Sequence, residues 1–261
     1  MGKLKLGILG NGYLADIIVE AGLKGMLDEY ELVGVLGRTR EKTELLAKKG
    51  GCRACSTIDE LLALAPDYVA EAASVQSVKD CGVKILASGA SMIVLSIGAF
   101  ADKEFYGQVK ETAAVHGTRV YIASGAVGGF DVLRTISLMG QAEAGIRTKK
   151  GPASLKGTPL FEERLMEDTQ ESHVFHGNAK EAISLLPTKV NVAVASSLAT
   201  VGPEDTRVDI YSVPGRVGDD HKITSEIEGV KAVVDIYSST SAIAGWSVVA
   251  VLQNIVSPIV F

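Results

Sequence analysis

Cysteine is scarce in this chain: Cys52, Cys55 and Cys81 are the only three in 261 residues. An odd number in a chain long enough to build its own core excludes a disulfide scaffold and predicts reduced thiols in a reducing compartment. Cys52-Arg53-Ala54-Cys55 has C-x-x-C spacing, but no second Cys or His pair follows at zinc-site spacing, so no metal site is expected. Positive charge is not in excess either. The 26 Lys and Arg against 31 Asp and Glu leave a formal net charge of −5, which argues against the clustered cationic footprint of a nucleic-acid binder. Long apolar runs are missing: stretches such as 91–101 and 246–252 fall short of the roughly 20 residues a bilayer-spanning helix needs. The first ten residues carry two lysines before a short apolar run ending in glycine, without a secretory cleavage pattern. A cytoplasmic protein with no membrane or nucleic-acid partner is expected. No G-x-S-x-G elbow, Walker loop, internal repeat or low-complexity tract is present.

What the chain does have is apolar substance, 47% of its residues with a mean hydropathy of +0.24, enough for one or two cores. Residues 3–9 form a short β-leaning run that meets Gly10-Asn11-Gly12, after which Leu14, Ile17, Ile18 and Ala21 repeat at helical spacing. A second apolar run over 31–36 ends at Gly37-Arg38-Thr39 and precedes a charged helix over 41–49. The alternation continues with helix 57–64, strand 67–72, helix 75–88, strand 91–97, helix 102–116 and strand 119–123. Continuous apolar strands separated by helices predict a doubly wound parallel sheet. After Ser124 the texture changes to a glycine cluster, a helix over 131–144 and a stretch over 147–157 rich in Lys, Gly and Pro. Helices over 179–186 and 190–198 follow, with alternating strands over 207–212 and 230–237, and a last, wholly apolar helix from 242 onward. The division predicted is 1–124, joined by 242–261 packing back on it, and a smaller α+β domain over 125–241.

Gly10-Asn11-Gly12-Tyr13-Leu14-Ala15 fits G-x-G-x-x-G/A between a predicted strand and helix. Gly10 makes the turn, Gly12 lets backbone amides approach a pyrophosphate, and Ala15 allows close helix packing. In that setting the string predicts a Rossmann-type dinucleotide site over Gly10, Asn11, Gly12, Tyr13 and Leu14. A carboxylate that would accept from the ribose 2′-OH of NAD is absent from the end of the second strand, where Arg38 and Thr39 stand instead. A guanidinium pairs with a 2′-phosphate, so NADP is at least as acceptable as NAD; a solvated loop charge is the plainer reading of Arg38. Among the four histidines, His116 reads as a helix cap, and His173 and His176 as structural or solvated residues of a loop-like stretch. His221, beside Asp219 and Asp220 whose carboxylates could raise its pKa, is the imidazole suited to proton exchange, although on the residues alone a surface-turn histidine is the plainer reading.

Taken together these segments resemble the L-aspartate dehydrogenase family. The likeness runs through the glycine turn, Glu71-Ala72-Ala73, the SIGAFAD segment over 96–102, the SGAVGGFD segment over 124–131, the RTKKGP segment over 147–152, the PTKVNV segment over 187–192 and an Asp219-Asp220-His221 turn. The resemblance implies an α+β catalytic and dimerisation domain, a homodimer, and NAD(P)-dependent oxidation of L-aspartate to iminoaspartate. That product hydrolyses to oxaloacetate and ammonia or feeds nicotinamide-cofactor biosynthesis; the reverse direction is reductive amination. It implies His221 as catalytic acid/base, Ala73, Ala126 and Asn191 as cofactor contacts, and Thr240 as a substrate contact. The substrate's two carboxylates need cations, and Arg147, Lys149 and Lys150 are the candidates in sequence, with a charged loop as the alternative. The chain departs from the family at Asp219, where Asn is usual, at Ser238-Ser239, where an Asn-Pro stretch is usual, and at Gly37-Arg38. Those departures keep two rivals open: an imine or keto-acid reductase with another substrate, and a non-catalytic NADPH-binding protein.

Overall fold

The structure, a computed structural model, describes residues 2–186 and 191–261. It divides into two compact units, one ending at Gly125 and resuming over Ala242–Phe261, the other spanning Ala126–Ser241. In the first unit the elements alternate as β1 (Leu4–Leu9), α1 (Tyr13–Leu23), β2 (Tyr30–Leu36), α2 (Arg40–Gly50), β3 (Arg53–Cys55), α3 (Ile58–Leu62), β4 (Tyr68–Glu71), α4 (Val75–Ala87), β5 (Ser91–Val94), α5 (Lys103–His116) and β6 (Val120–Ile122). A 3-10 turn over Ile97–Ala101 precedes α5. The six strands lie in the order β3-β2-β1-β4-β5-β6, all parallel. The expected doubly wound sheet is borne out. Its strand order reverses between β1 and β4, the switch point where open α/β sheets bind ligands.

Local signals account for most boundaries. Thr57 caps α3 by accepting from the Glu60 amide, and Ser74 and Asp102 cap α4 and α5 in the same way. Gly51 and Gly117 end α2 and α5 in the left-handed conformation. The C-terminal helix, Ala242–Val256, belongs to this unit. It packs on α1 so tightly that a Cβ on Gly245 would sit 2.9 Å from Ile17, and the Leu252 carbonyl accepts from the Tyr30 hydroxyl at 2.7 Å.

The second unit contains α6 (Phe130–Met139), β7 (Glu143–Lys150), β8 (Ser172–Asn178), α7 (Ala179–Leu185), α8 (Asn191–Ala199), β9 (Arg207–Ser212), β10 (Asp219–Ile227) and β11 (Val230–Ser238). Its sheet runs β11-β10-β7-β9-β8, mixed in direction, with β7 and β9 parallel. One face carries Ile146, Val208, Ile210 and Ile223 into a core closed by Leu133, Ala179, Ala182 and Ala193 of the helices.

Three sequence expectations need correction here. The helix predicted over 131–144 stops at Met139, where the backbone becomes extended at Gly140, a position at which a Cβ would lie 2.8 Å from the Ile227 side chain. The charged stretch after it is not a loop: residues 143–150 form the central strand β7. Its inward positions are Ile146, Thr148 and Lys150, all buried, and two polar residues in that set hide the apolar period of two. The stretches holding His173 and His221 are likewise strands, β8 and β10. Part of the PTKVNV segment, 187–190, and the start of the helix predicted over 190–198 lie outside the described residues. Among the described residues no helix is long and apolar enough to cross a membrane.

The two glycines of the β1–α1 turn predict different outcomes. Gly10 has φ of +138° and faces the Ala72 carbonyl, with which a Cβ would collide, whereas a Cβ on Gly12 meets nothing within 4 Å. Gly10→Ala therefore carries backbone strain of about 1–3 kcal/mol plus the clash and lowers the melting temperature by several degrees. Gly12→Ala leaves it within about a degree. Equal melting temperatures for the two variants, by calorimetry, would show that the turn is not held as described.

Candidate active site

At the switch point of the first sheet, α1 begins at Gly12 with no side chain capping it; α2 is also without a side-chain cap, whereas α3, α4 and α5 are capped. The leading amides of α1, from Tyr13 and Leu14, are thus left for an anion. The open space at Gly12 is the approach a pyrophosphate requires. Asn11 does not point at that space. Its amide nitrogen donates to the Thr39 carbonyl at 2.8 Å and to the Thr43 hydroxyl at 2.9 Å, tying the glycine turn to the β2–α2 turn. This side chain also explains Gly37, where a Cβ would collide with the Asn11 amide. Arg38 and Thr39, next in line, are exposed.

Glu71, at the carboxyl end of β4, is fully buried. One carboxylate oxygen accepts from the Ala73 amide and the Ser96 hydroxyl, each at 2.8 Å. The other accepts from the amides of Leu95 and Ser96 at 3.1 and 2.9 Å. Burial raises its pKa against the pull of those donors. The carboxylate joins the ends of β4 and β5 and fixes the turn that carries Ala73. Sequence reasoning met Glu71 only as part of a family segment and assigned it no task.

In the second unit, β7 and β10 run antiparallel with His221 opposite Thr148 and Asp219 opposite Lys150. Residues two apart on a strand share a face, so these four side chains form one cluster on the side that also carries Ile146 and Ile223. His221 is only 4% exposed. Its Nδ1 lies 3.0 Å from the Thr148 hydroxyl, its Nε2 lies 3.9 Å from an Asp219 oxygen, and Lys150 is paired directly with Asp219. Burial lowers the imidazole pKa to about 4, the Lys150 cation adds to the fall, and Asp219 and Asp220 oppose it. The ring is a neutral imidazole near neutral pH, able to accept a proton.

Strand alternation separates the two lysines that the sequence put forward together. Lys149 lies on the opposite face from His221, bonded to Glu171 at 2.5 Å and 6.0 Å from the Tyr211 ring. Lys150 alone shares the His221 side, and its charge is matched by Asp219. Asp219, the departure from the family's Asn, therefore brings a carboxylate that is paired with Lys150 in the absence of a ligand. Ala126 lies in the turn before Gly129, whose left-handed φ of +70° and approach to Val234 exclude a side chain. Asn191 opens α8, and Thr240 follows β11, its amide and carbonyl both bonded to the Ser238 hydroxyl. The three thiols are raised by burial, that of Cys52 to about 11, which leaves them protonated and unreactive.

An uncapped glycine turn at the switch point of a parallel sheet, in one chain with a buried neutral imidazole, defines a dinucleotide-dependent oxidoreductase. Residues 6–123 match the NAD-binding domain of homoserine dehydrogenase, and residues 131–255 match the C-terminal domain of aspartate dehydrogenase. The chain is 33% identical to the L-aspartate dehydrogenase of Methanococcus maripaludis and 33% identical to that of Methanosarcina mazei, in each case over 98% of both chains. It is also similar to the crystal structure of aspartate dehydrogenase from Thermotoga maritima, with a TM-score of 0.79 and 26% identity over 99% of each chain. This chain belongs to the L-aspartate dehydrogenase family.

The cluster predicts the titration of His221. An NMR titration is expected to place its midpoint near pH 4, higher in Lys150→Met, which removes a repelling cation, and lower still in Asp219→Asn. Because the folded value lies below the unfolded value of about 6.5, the unfolded chain takes up the proton first. Stability is then complete above pH 6.5 and is lost as pH falls towards 4. Urea unfolding between pH 4 and 7 should decline more steeply for the wild type than for His221→Gln, and a wild-type midpoint near 6.5 would overturn the assignment.

Proposed function

We propose that this chain oxidises L-aspartate with NADP or NAD as hydride acceptor, giving iminoaspartate that water converts to oxaloacetate and ammonia. The observation that carries the chemical part is the neutral, buried imidazole of His221 beside Lys150; family membership supplies the substrate. The bound nicotinamide supplies the site that accepts the Cα hydride. His221 accepts the proton that leaves the substrate amine or the attacking water, and its hydrogen bond to Thr148 fixes the ring so that the other nitrogen does this work. Lys150 is the cation for a substrate carboxylate, exchanging its Asp219 partner for the ligand. The uncapped amides at Gly12, Tyr13 and Leu14 take the pyrophosphate, Gly10 and Asn11 hold that turn, and Ala73, Ala126 and Asn191 orient the nicotinamide end. Arg38 and Thr39 meet the adenosine ribose. Because Asn11 fills the space beside Gly37, a carboxylate side chain at position 37 has no room, which favours the 2′-phosphate of NADP.

The reductase and non-catalytic alternatives, which the departures at Asp219, Ser238-Ser239 and Gly37-Arg38 kept open, are not favoured by relatives that are L-aspartate dehydrogenases over 98% of both chains; at Asp219 the added carboxylate is paired with Lys150. The same reading makes the protein a cytoplasmic homodimer. Its support is the set of reduced, protonated thiols and the exposed Val233 and Tyr237 on β11; sedimentation velocity gives the oligomeric state.

Two outcomes test the reading. Oxaloacetate with ammonia and NADPH is consumed faster than pyruvate or 2-oxoglutarate, and His221→Ala lowers kcat by about a hundredfold to ten-thousandfold while cofactor affinity stays level. Faster turnover of a monocarboxylate would return the reductase alternative. Arg38→Ala weakens NADP(H) by about 1–3 kcal/mol and leaves NAD(H) unchanged; equal losses for both cofactors, by fluorescence titration, would remove the 2′-phosphate role.

A further inference from the structure

Strand β8 is the edge of the second sheet, and its pairing with β9 contains a register shift between His173 and Phe175. His173 pairs with Tyr211, Phe175 with Ile210, and His176 with Asp209. Three residues of β8 therefore span what two residues span on β9, with Val174 as the extra residue of a β-bulge. A regular strand would send side chains at positions 173 and 176 to opposite faces. The bulge turns both Val174 and Phe175 towards the core and leaves both histidines on the outer face.

There they meet one carboxylate oxygen. His173 Nε2 lies 3.0 Å from Asp209 Oδ1, and His176 Nδ1 lies 2.8 Å from the same atom. The three potential ligand atoms all fall within 4.8 Å of one another. Around a tetrahedral zinc ion with bonds of about 2.0–2.1 Å, ligand atoms stand about 3.3–3.4 Å apart. The two nitrogen–oxygen distances need to lengthen by only a few tenths of an ångström to match that spacing, and rotation of the two exposed rings brings their nitrogens, now within 4.8 Å, to it. The surroundings hold the set. The Tyr211 ring stacks on His173 with centroids 4.4 Å apart and planes at 10°. Arg207 Nε approaches the other carboxylate oxygen, Oδ2, at 3.8 Å and leaves Oδ1 for a ligand. Side-chain exposures of 40% for His173 and 66% for His176 give an ion a path in and room for water at the fourth position.

We propose that His173, His176 and Asp209 form a binding site for a divalent transition metal of the zinc class, which fastens the edge strand β8 to β9. Two imidazoles and one carboxylate suit Zn²⁺, Co²⁺, Ni²⁺ or Cu²⁺, whereas Mg²⁺ and Ca²⁺ take all-oxygen sets. Asp209 alternates with the inward Val208 and Ile210, so the site faces away from the side of the sheet that carries His221. It lies apart from the catalytic machinery, and its role is to stabilise the fold.

Untagged, chelator-treated protein titrated with Co²⁺ and then Zn²⁺ tests this. The expected result is one equivalent bound per chain, visible as cobalt d–d absorption that Zn²⁺ displaces, with Zn²⁺ raising the melting temperature. His176→Gln, a change at an exposed position, and Asp209→Asn should each weaken binding at least about tenfold and abolish the thermal shift, while metal-free turnover stays at the wild-type level. Binding that survives in both variants, a cobalt–thiolate charge-transfer band from Cys52 and Cys55, or no binding to the wild type would each overturn the proposal.

Discussion

The antiparallel register between β7 and β10 is the constraint on which the chemistry of the second unit depends. It sets Thr148 across from His221 and Lys150 across from Asp219, and alternation puts all four on the core side. A slip of one residue would turn His221 outward and bring Asp220 and Lys222 in. Correct register places a neutral imidazole, a hydroxyl that fixes its orientation, and a matched pair of opposite charges among apolar side chains. Burying Lys150 is tolerable because Asp219 travels with it. The imidazole is neutral for two reasons that act together: it is removed from water, and a cation stands nearby.

The first unit solves a different problem, holding backbone amides open to an anion. Gly10 lets β1 turn against the Ala72 carbonyl, Asn11 ties that turn to Thr39 and Thr43, and Glu71 gathers three amides and a hydroxyl from the ends of β4 and β5. Each of these contacts satisfies a buried or half-buried polar group, so the strand ends stay ordered without a side chain intruding on the helix start. The buried carboxylate of Glu71 is a strong element of this frame because it makes four accepted hydrogen bonds in a site water does not reach.

The two units were not equally legible. In the first, every strand but β3 is an apolar run and most helices have their own cap or glycine stop, so periodicity traces the order of elements except for β3, whose three residues Arg53-Ala54-Cys55 are too few and too polar to read as a strand. In the second, polar residues sit on the inner face of β7 and β10, and a bulge interrupts β8. There the pattern imitates loops, and His221 looks like a surface turn until its strand is paired.

Local chemistry therefore determined, from the sequence by itself, most of the alternation of the first unit and the glycine turn at Gly10 to Gly12, because φ preference, capping and apolar spacing act over a few residues. Tertiary structure decided the rest. His221 and Thr148 stand 73 positions apart, and only strand pairing makes them neighbours and fixes the proton affinity of the ring. The same pairing parts Lys149 from Lys150, and the bulge at Val174 brings His173 and His176 to Asp209, since the face a side chain occupies depends on a register that distant strands set.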